Sequence, residues 1–500
     1  MAQGYIESKV NTKMEILAGK YFENLAIRSF FQDFEKDASD DKITRCKMHD
    51  IVHDFVRSMI TNEFIAIDGD KELDIDYKSV HHLRLKLAKE MLFPVSIYHA
   101  KNIHTLFLLF DEIDYNFNML ISNLFQNFRC LRTLILDCPI KKITDVVENF
   151  IHLQFLLLST KVEIEELPTT ICNLCNLQTL HIDNCYRLKK LPQYMSNLIN
   201  LRHLIFYTYA MTQFSRGIGR LISLRTLSHF IISGKDDKEG CKLGELKNLN
   251  QLQGTLRIQW LGNVVDVCED KHAQLKKKTH LRGLYLGFEG EDENDRRINN
   301  NVLVLNDLEP HPDLEYLEIY DYQGTTLYPN WMMSLTKLKT LRLFACPELK
   351  GLPPSGKLPF LESLSIIDVD SSEKVGVEFL GLESKYKKDI IFPYSKSLKF
   401  SFFKEWKEWV GIGGMRNEEI NGVTIMPCLQ DLTISRCPKL KVLPYFFCTT
   451  PLKKLDIFQC PILGERCQRE IGEDWSKISH IPNIKIDWKF MQTDDGECDA

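Results

Sequence analysis

Two histidines four residues apart, each followed by an aspartate, are the first groups in this sequence whose spacing could do chemistry. They lie in CKMHDIVHDF, residues 46–55, as His49-Asp50 and His53-Asp54. On a helix an i, i+4 pair falls about 40° apart around the axis, so both imidazoles could ligate one metal ion. HDIVH is also one methylene short of the HExxH of zinc peptidases. The acid argues against that chemistry. Aspartate's shorter arm is badly placed to act as general base on a metal-bound water, and no third His or Glu follows at a ligand spacing. The expectation is no metal and no hydrolase.

Other candidate chemistry is sparse. Cys172 and Cys175 form one CxxC, with no second at zinc-ribbon spacing. The 15 cysteines are an odd number over 500 residues, unlike a small secreted disulfide scaffold. No G-x-x-x-x-G-K-[ST] occurs, and AGK at residues 18–20 lacks the preceding glycine and the following hydroxyl. A P-loop needs those groups to cradle phosphate, so the expectation is not an enzyme. Net charge is −5 and the pI about 6.3, so no basic field attracts nucleic acid. No apolar run approaches the ~20 residues of a membrane span, and the first ten residues lack a signal-peptide layout. A cytoplasmic location is expected, with nuclear or membrane-peripheral placement as variants.

The elements that carry HDIVH read as helix, hairpin, helix. In residues 14–28, Leu17, Tyr21 and Leu25 recur at i, i+4, i+8. SFFQDF and ITRCKM flank a polar turn, which predicts a β-hairpin. A second helix starts near His49, with Ile51, Val52, Phe55, Val56 and Met59 as its apolar stripe. This is the end of a winged-helix module. Residues 1–60 hold nine Lys/Arg against ten Asp/Glu, so DNA binding is not expected.

Beyond it the chain repeats. LRTLILD (from Leu131), LQTLHIDNC (Leu177), LEYLEIY (Leu314), LKTLRLFAC (Leu338), LQDLTISRC (Leu429) and LKKLDIFQC (Leu452) share L-x-x-L-x-L/I. Such strands recur about every 27 residues from Leu131 to Leu452, within the ~20–29 of leucine-rich repeats. HHLRLKL and IHTLFLLF are degenerate opening repeats. One repeat cannot bury its leucines alone, so stacked copies form a curved parallel sheet whose other strand positions face a hollow. Cys185, Cys346, Cys437 and Cys460 fall where the backbone turns inward and a small apolar side chain is needed. An xLP signal then starts the return path. Residues 234–244, 289–301, 370–389 and 411–422 read as loop-like insertions. Trp406 and Trp409 are expected in the core. Tyr316, Glu318, Tyr320, Arg342 and Phe344 should face the hollow together, a candidate partner-binding patch.

MAQGYI, YFENLAIRSFFQDF and CKMHDIVHDFVRSMI, followed by these repeats, resemble the coiled-coil-type plant NLR (NB-ARC leucine-rich-repeat) disease resistance receptors. VGVEFLG (375–381), WKEW (406–409) and the ending CPILGERCQREIGEDWSKISHIPNIKID extend the likeness over the chain. The resemblance implies that Met48-His49-Asp50 is the family's Met-His-Asp motif of the ARC2 subdomain, in which His49 contacts the β-phosphate of ADP. It implies an ADP/ATP switch in the full receptor, restrained by the repeats against the NB-ARC domain. The implied partner of the repeats is a pathogen effector or a guarded host protein. Met1 reads as an internal methionine and the chain as a C-terminal piece with a complete C-terminus.

The expected architecture is α/β: a partial winged-helix (α+β) segment over 1–66, a linker and degenerate first repeat over 67–102, a leucine-rich-repeat solenoid over 103–489, and a disordered tail over 490–500. A stand-alone repeat scaffold or decoy without nucleotide switching is the alternative function.

Overall fold

The computed structural model describes residues 6, 14–36, 43–60, 63–68, 79–87, 95–110, 117–159, 161–207, 211–234, 236–264, 273–290, 295–381, 390–410 and 423–493. MAQGYI apart from Ile6, the 411–422 insertion and part of the tail lie outside them. The chain forms two compact units, divided between Thr212 and Gln213.

In the first unit, helix Met14–Ile27 precedes an antiparallel hairpin of Phe31–Lys36 and Ile43–Met48, and helix Asp50–Met59 follows it. Parallel strands then stack in sequence order from Phe64–Asp68 through His82–Leu87, Thr105–Phe110, Thr133–Asp137, Phe155–Leu158 and Thr179–Asp183 to His203–Tyr207. The register aligns like with like: Leu83, Leu106, Leu134, Leu156, Leu180 and Leu204 form one buried column. Burying each leucine contributes roughly 1.5–3 kcal/mol, and a one-residue slip would turn every one of them outward.

The second unit builds an eleven-stranded sheet by the same rule. It begins with His229–Ile231, Gln253–Gln259, His280–Gly287, Tyr316–Tyr320 and Thr340–Phe344. It continues through Ser363–Ile367, Ser397–Ser401, Asp431–Ser435, Lys454–Phe458 and Asn483–Ile486. Lys489–Gln492 closes it antiparallel.

The turn after the strand has one recurring device. Asn184, Ala345, Arg436 and Gln459 take φ of 50°, 52°, 54° and 51°, the left-handed region, and each immediately precedes an inward cysteine. Their strained backbone sends the amide onward: Asn184 N donates to Tyr207 O at 2.8 Å and Ala345 N to Ile367 O at 3.0 Å. Cys185, Cys346, Cys437 and Cys460 are fully buried, and burial pushes the Cys185 and Cys346 thiols up to about 12. They are packing groups. The xLP signals behave as expected, with Pro168, Pro354 and Pro444 standing directly before 3₁₀ turns.

Four expectations change. The 289–301 insertion is not all loop: Asp295–Asp307 is a helix, because the polar string runs into VLVL and Val304 and Leu305 bury. Within 370–389, Lys374–Val375 is a short strand parallel to Glu408–Trp409, and Val377–Leu380 is a helical turn. VGVEFLG and WKEW therefore meet, and Phe400 lies 5.0–5.3 Å from both Trp406 and Trp409 in a buried aromatic cluster. The sheet opens early, since Phe64–Asp68 crosses the expected 66/67 boundary and pairs with His82–Leu87. The tail begins late, because Lys489–Gln492 hydrogen-bonds to the last parallel strand, covering its edge.

Candidate functional site

Met48 ends its strand and His49 begins the next helix. His49 N donates to Phe30 O at 2.9 Å, tying the hairpin to the helix start. Its backbone is extended (φ −61°, ψ 138°) and Nδ1 accepts from Ile51 N at 3.4 Å. His49 is thus the N-cap, in the role usually taken by Ser, Thr, Asp or Asn. An imidazole that accepts at Nδ1 carries its proton on Nε2, so the cap leaves one N–H donor uncommitted. Asp50 occupies the first helical turn, where a carboxylate favours the helix dipole. His53 is engaged separately, its Nδ1 3.3 Å from Asp54 Oδ1. Among the described residues no three His, Cys, Asp or Glu side chains are placed to hold a metal ion. Cys172 is buried and Cys175 exposed.

Neither helix of this segment buries a residue. Ile51, Phe55 and Met59 are 75%, 62% and 69% exposed, so the apolar stripe is present but uncovered. Arg202 ties the first helix to the repeats of its unit: its Nη1 donates to Glu15 Oε1 at 3.0 Å and to Met14 Sδ at 3.7 Å, with His203 Nε2 3.7 Å from Glu15 Oε1.

The second candidate is the outward face of the sheet in the second unit. Register places Tyr316 beside Thr340, Glu318 beside Arg342 and Tyr320 beside Phe344, so all five predicted side chains share one face. Four are linked. The Tyr316 hydroxyl donates to Glu318, and Arg342 Nη1 reaches Glu318 Oε2 at 3.3 Å and the Tyr316 hydroxyl at 3.4 Å. Tyr320 instead bonds toward the preceding strands, to Gln259 and Glu289. Phe344 is 45% exposed.

Two residues of the patch were not anticipated. Tyr285 lies 4.8 Å from Tyr316, and Arg257 sits 3.6 Å above the Tyr285 ring. LRGLYLG carried the signal, with glycines at both outward positions flanking Tyr285. A Cβ on Gly283 would meet Thr255 Oγ1 at 2.8 Å, and one on Gly287 would meet the Tyr320 ring at 2.3 Å. The glycines let neighbouring strands' side chains lie across this one. Burial, reinforced by the Glu318 carboxylate, holds the Tyr316 hydroxyl far above its usual value, and burial with Glu289 does the same for Tyr320. Burial also raises the Glu289 carboxyl, against hydrogen bonds that include one from Trp260 N at 3.1 Å. The patch is therefore ordered and aromatic, with an ion-paired guanidinium at the Arg342 end and one stacked on a ring at the Arg257 end.

Residues 1–56 match the disease resistance protein winged helix domain, and residues 243–369 match the R13L1/DRL21 leucine-rich repeats. A putative disease resistance protein RGA4 of Solanum bulbocastanum is 32% identical over 498 residues, 99% of this chain and 44% of that protein. The chain belongs to the plant NLR disease resistance proteins. A putative disease resistance RPP13-like protein 1 of Arabidopsis thaliana is 31% identical over 93% of this chain and 44% of its own length. This NLR chain thus spans less than half the length of these relatives. Its Met48-His49-Asp50 lies within the winged-helix match. Its aromatic patch, from Arg257 to Phe344, lies within the repeat match.

Proposed function

We propose that this chain is part of a plant immune receptor, and that the strand face of its second unit recognises a protein partner: a pathogen effector or the host protein it alters. The observation that carries this is the preorganised strip from Arg257 through Tyr285 and Tyr316 to Glu318 and Arg342. Interface hot spots are enriched in Tyr and Arg, and side chains already held in place lose less entropy on binding. The groups at the face suit binding and not bond-making. The Tyr316 and Tyr320 hydroxyls are held neutral, and Arg342 is paired with Glu318.

We further propose that His49 serves as the ADP sensor when a nucleotide-binding domain is present. The residues fit one phosphate contact: the cap fixes Nδ1 as acceptor, and Nε2–H remains to donate. Such a charge-assisted bond is worth roughly 1.5–3 kcal/mol, and about 2 kcal/mol in the closed state alone shifts an off/on equilibrium roughly thirtyfold. Met48 and Asp50 position it, as the strand end and the first helical residue. Bound nucleotide would supply the phosphate charge that distinguishes the two states.

The test has two parts. The full chain immobilised on resin should capture a protein from pathogen-challenged leaf extract, and Tyr316→Ala with Arg342→Glu should abolish that capture. Joined to a family nucleotide-binding region, His49→Ala or Asp50→Val should give cell death without pathogen. Capture that survives the face variants would refute the binding surface. Silence of the His49 variants would leave the chain as a repeat scaffold or decoy.

A further inference from the structure

Arg257 and Arg342 stand at the two ends of the patch and are not equivalent. Arg342 is committed to Glu318 and Tyr316. Arg257 lies over Tyr285, its guanidinium carbon 3.6 Å from the ring centroid. Its backbone N donates to Ser228 O at 3.1 Å, and among the described residues its side chain has no hydrogen bond or ion pair. Glu289, the acid near this end, is occupied by Trp260 N and Tyr320. A half-buried guanidinium fixed over an aromatic ring, its five N–H donors unmatched by any acceptor, is a site prepared for an anion.

We propose that Arg257 receives the carboxylate of an aspartate or glutamate side chain on the protein partner, with Tyr285 as the platform that holds the guanidinium in place. This deepens, and rests on, the reading of the strand face as the partner-binding surface. Three observations commit it to an acidic protein. A planar guanidinium fork matches a carboxylate in two parallel hydrogen bonds. The same face is aromatic, with Tyr316 half-buried beside Tyr285 and Phe344 exposed further along it, which suits a polypeptide's apolar side chains. The chain's net charge of −5 supplies no general attraction for nucleic acid, so a single placed cation points to recognition of one acidic group.

A random peptide library displayed on phage and panned against the full chain tests this. Enriched peptides should carry Asp or Glu, and the synthetic peptide should bind Arg257→Gln roughly tenfold or more weakly. Arg257→Lys, which keeps the charge and loses the fork, should fall between. Lys399→Gln, two strands beyond Arg342 on the same face, should bind like the parent and controls for general charge. Replacing the peptide's acid with its amide should remove the difference between the parent chain and Arg257→Gln. Far-ultraviolet circular dichroism of each variant checks folding, and Arg257→Lys carries the test should Arg257→Gln unfold. Enriched peptides without an acid that still lose binding in Tyr316→Ala would overturn the role of Arg257 and leave the strand face standing. Failure to enrich any peptide, or preferential capture of single-stranded RNA, would count against both.

Discussion

The strand faces of the two units grow from one backbone plan and are filled with different chemistry. In the first unit the outward positions collect histidines. His81 and His104 stack at 5.0 Å, His82 Nδ1 lies 2.9 Å from Thr105 Oγ1, and His203 adjoins Glu15. Burial holds His82, His104, His181 and His203 below the ordinary histidine value, with the Arg132 charge adding to the effect at His104 and Arg202 at His203. In the second unit the corresponding positions carry tyrosines and arginines, with the Tyr316 and Tyr320 hydroxyls and the Arg342 guanidinium held above their ordinary values. Acid therefore adds charge to histidines on the first face, whereas on the second it removes the charge of Glu289. Inward leucines set the register of both, which leaves the outward positions open to carry function.

The shared core can be attacked first. Leu180→Ala in the first unit and Leu341→Ala in the second, both fully buried at in-register positions, should each cost about 2–5 kcal/mol in urea unfolding. A large cost in one unit and none in the other would break the claim of a common plan. Next, Gly287→Ala should cost about 1–3 kcal/mol. The new Cβ would lie 2.3 Å from the Tyr320 ring, and a shift in tyrosine fluorescence would report the displaced ring.

The difference between the faces is sharpened by pH. A histidine whose folded pKa is depressed leaves stability intact above its unfolded value of about 6.5. Stability is lost as pH falls from there through the folded value, because the unfolded chain takes up protons first. Glu289 has the opposite sign. Its raised pKa means that its penalty, present at neutral pH, is relieved as pH falls through the folded value. Hydrogen exchange at pH 7 and pH 5 should therefore show the first unit loosening more than the second, and His181→Leu should reduce the difference. The smallest expected effect is Tyr316→Phe, about 0.5–1.5 kcal/mol, since Glu318 keeps Arg342 when the hydroxyl is gone.

What the sequence disclosed follows from which interactions are local or periodic. The repeat strands, the cysteine turns, the hairpin and the helix beginning at His49 each leave a pattern within about ten residues. The shared face of Tyr316, Glu318, Tyr320, Arg342 and Phe344 was legible because register follows from the leucines. The helix Asp295–Asp307 was hidden because its polar start outweighs the short VLVL that anchors it. Phe64–Asp68 was missed because FIAID lacks the repeat's leucines and is ordered by its neighbour. Arg257 on Tyr285 spans 28 residues and depends on glycines whose use shows only when strands are laid side by side. The Arg202–Glu15 pair, 187 residues apart, leaves no sequence trace.

The most direct test of the central claim is a quantitative pull-down from pathogen-challenged leaf extract, comparing the parent chain with Tyr316→Ala/Arg342→Glu and with His181→Leu. Loss of the captured protein in the first variant and full retention in the second would place recognition on the aromatic face. Equal capture by all three, or loss only with His181→Leu, would contradict it.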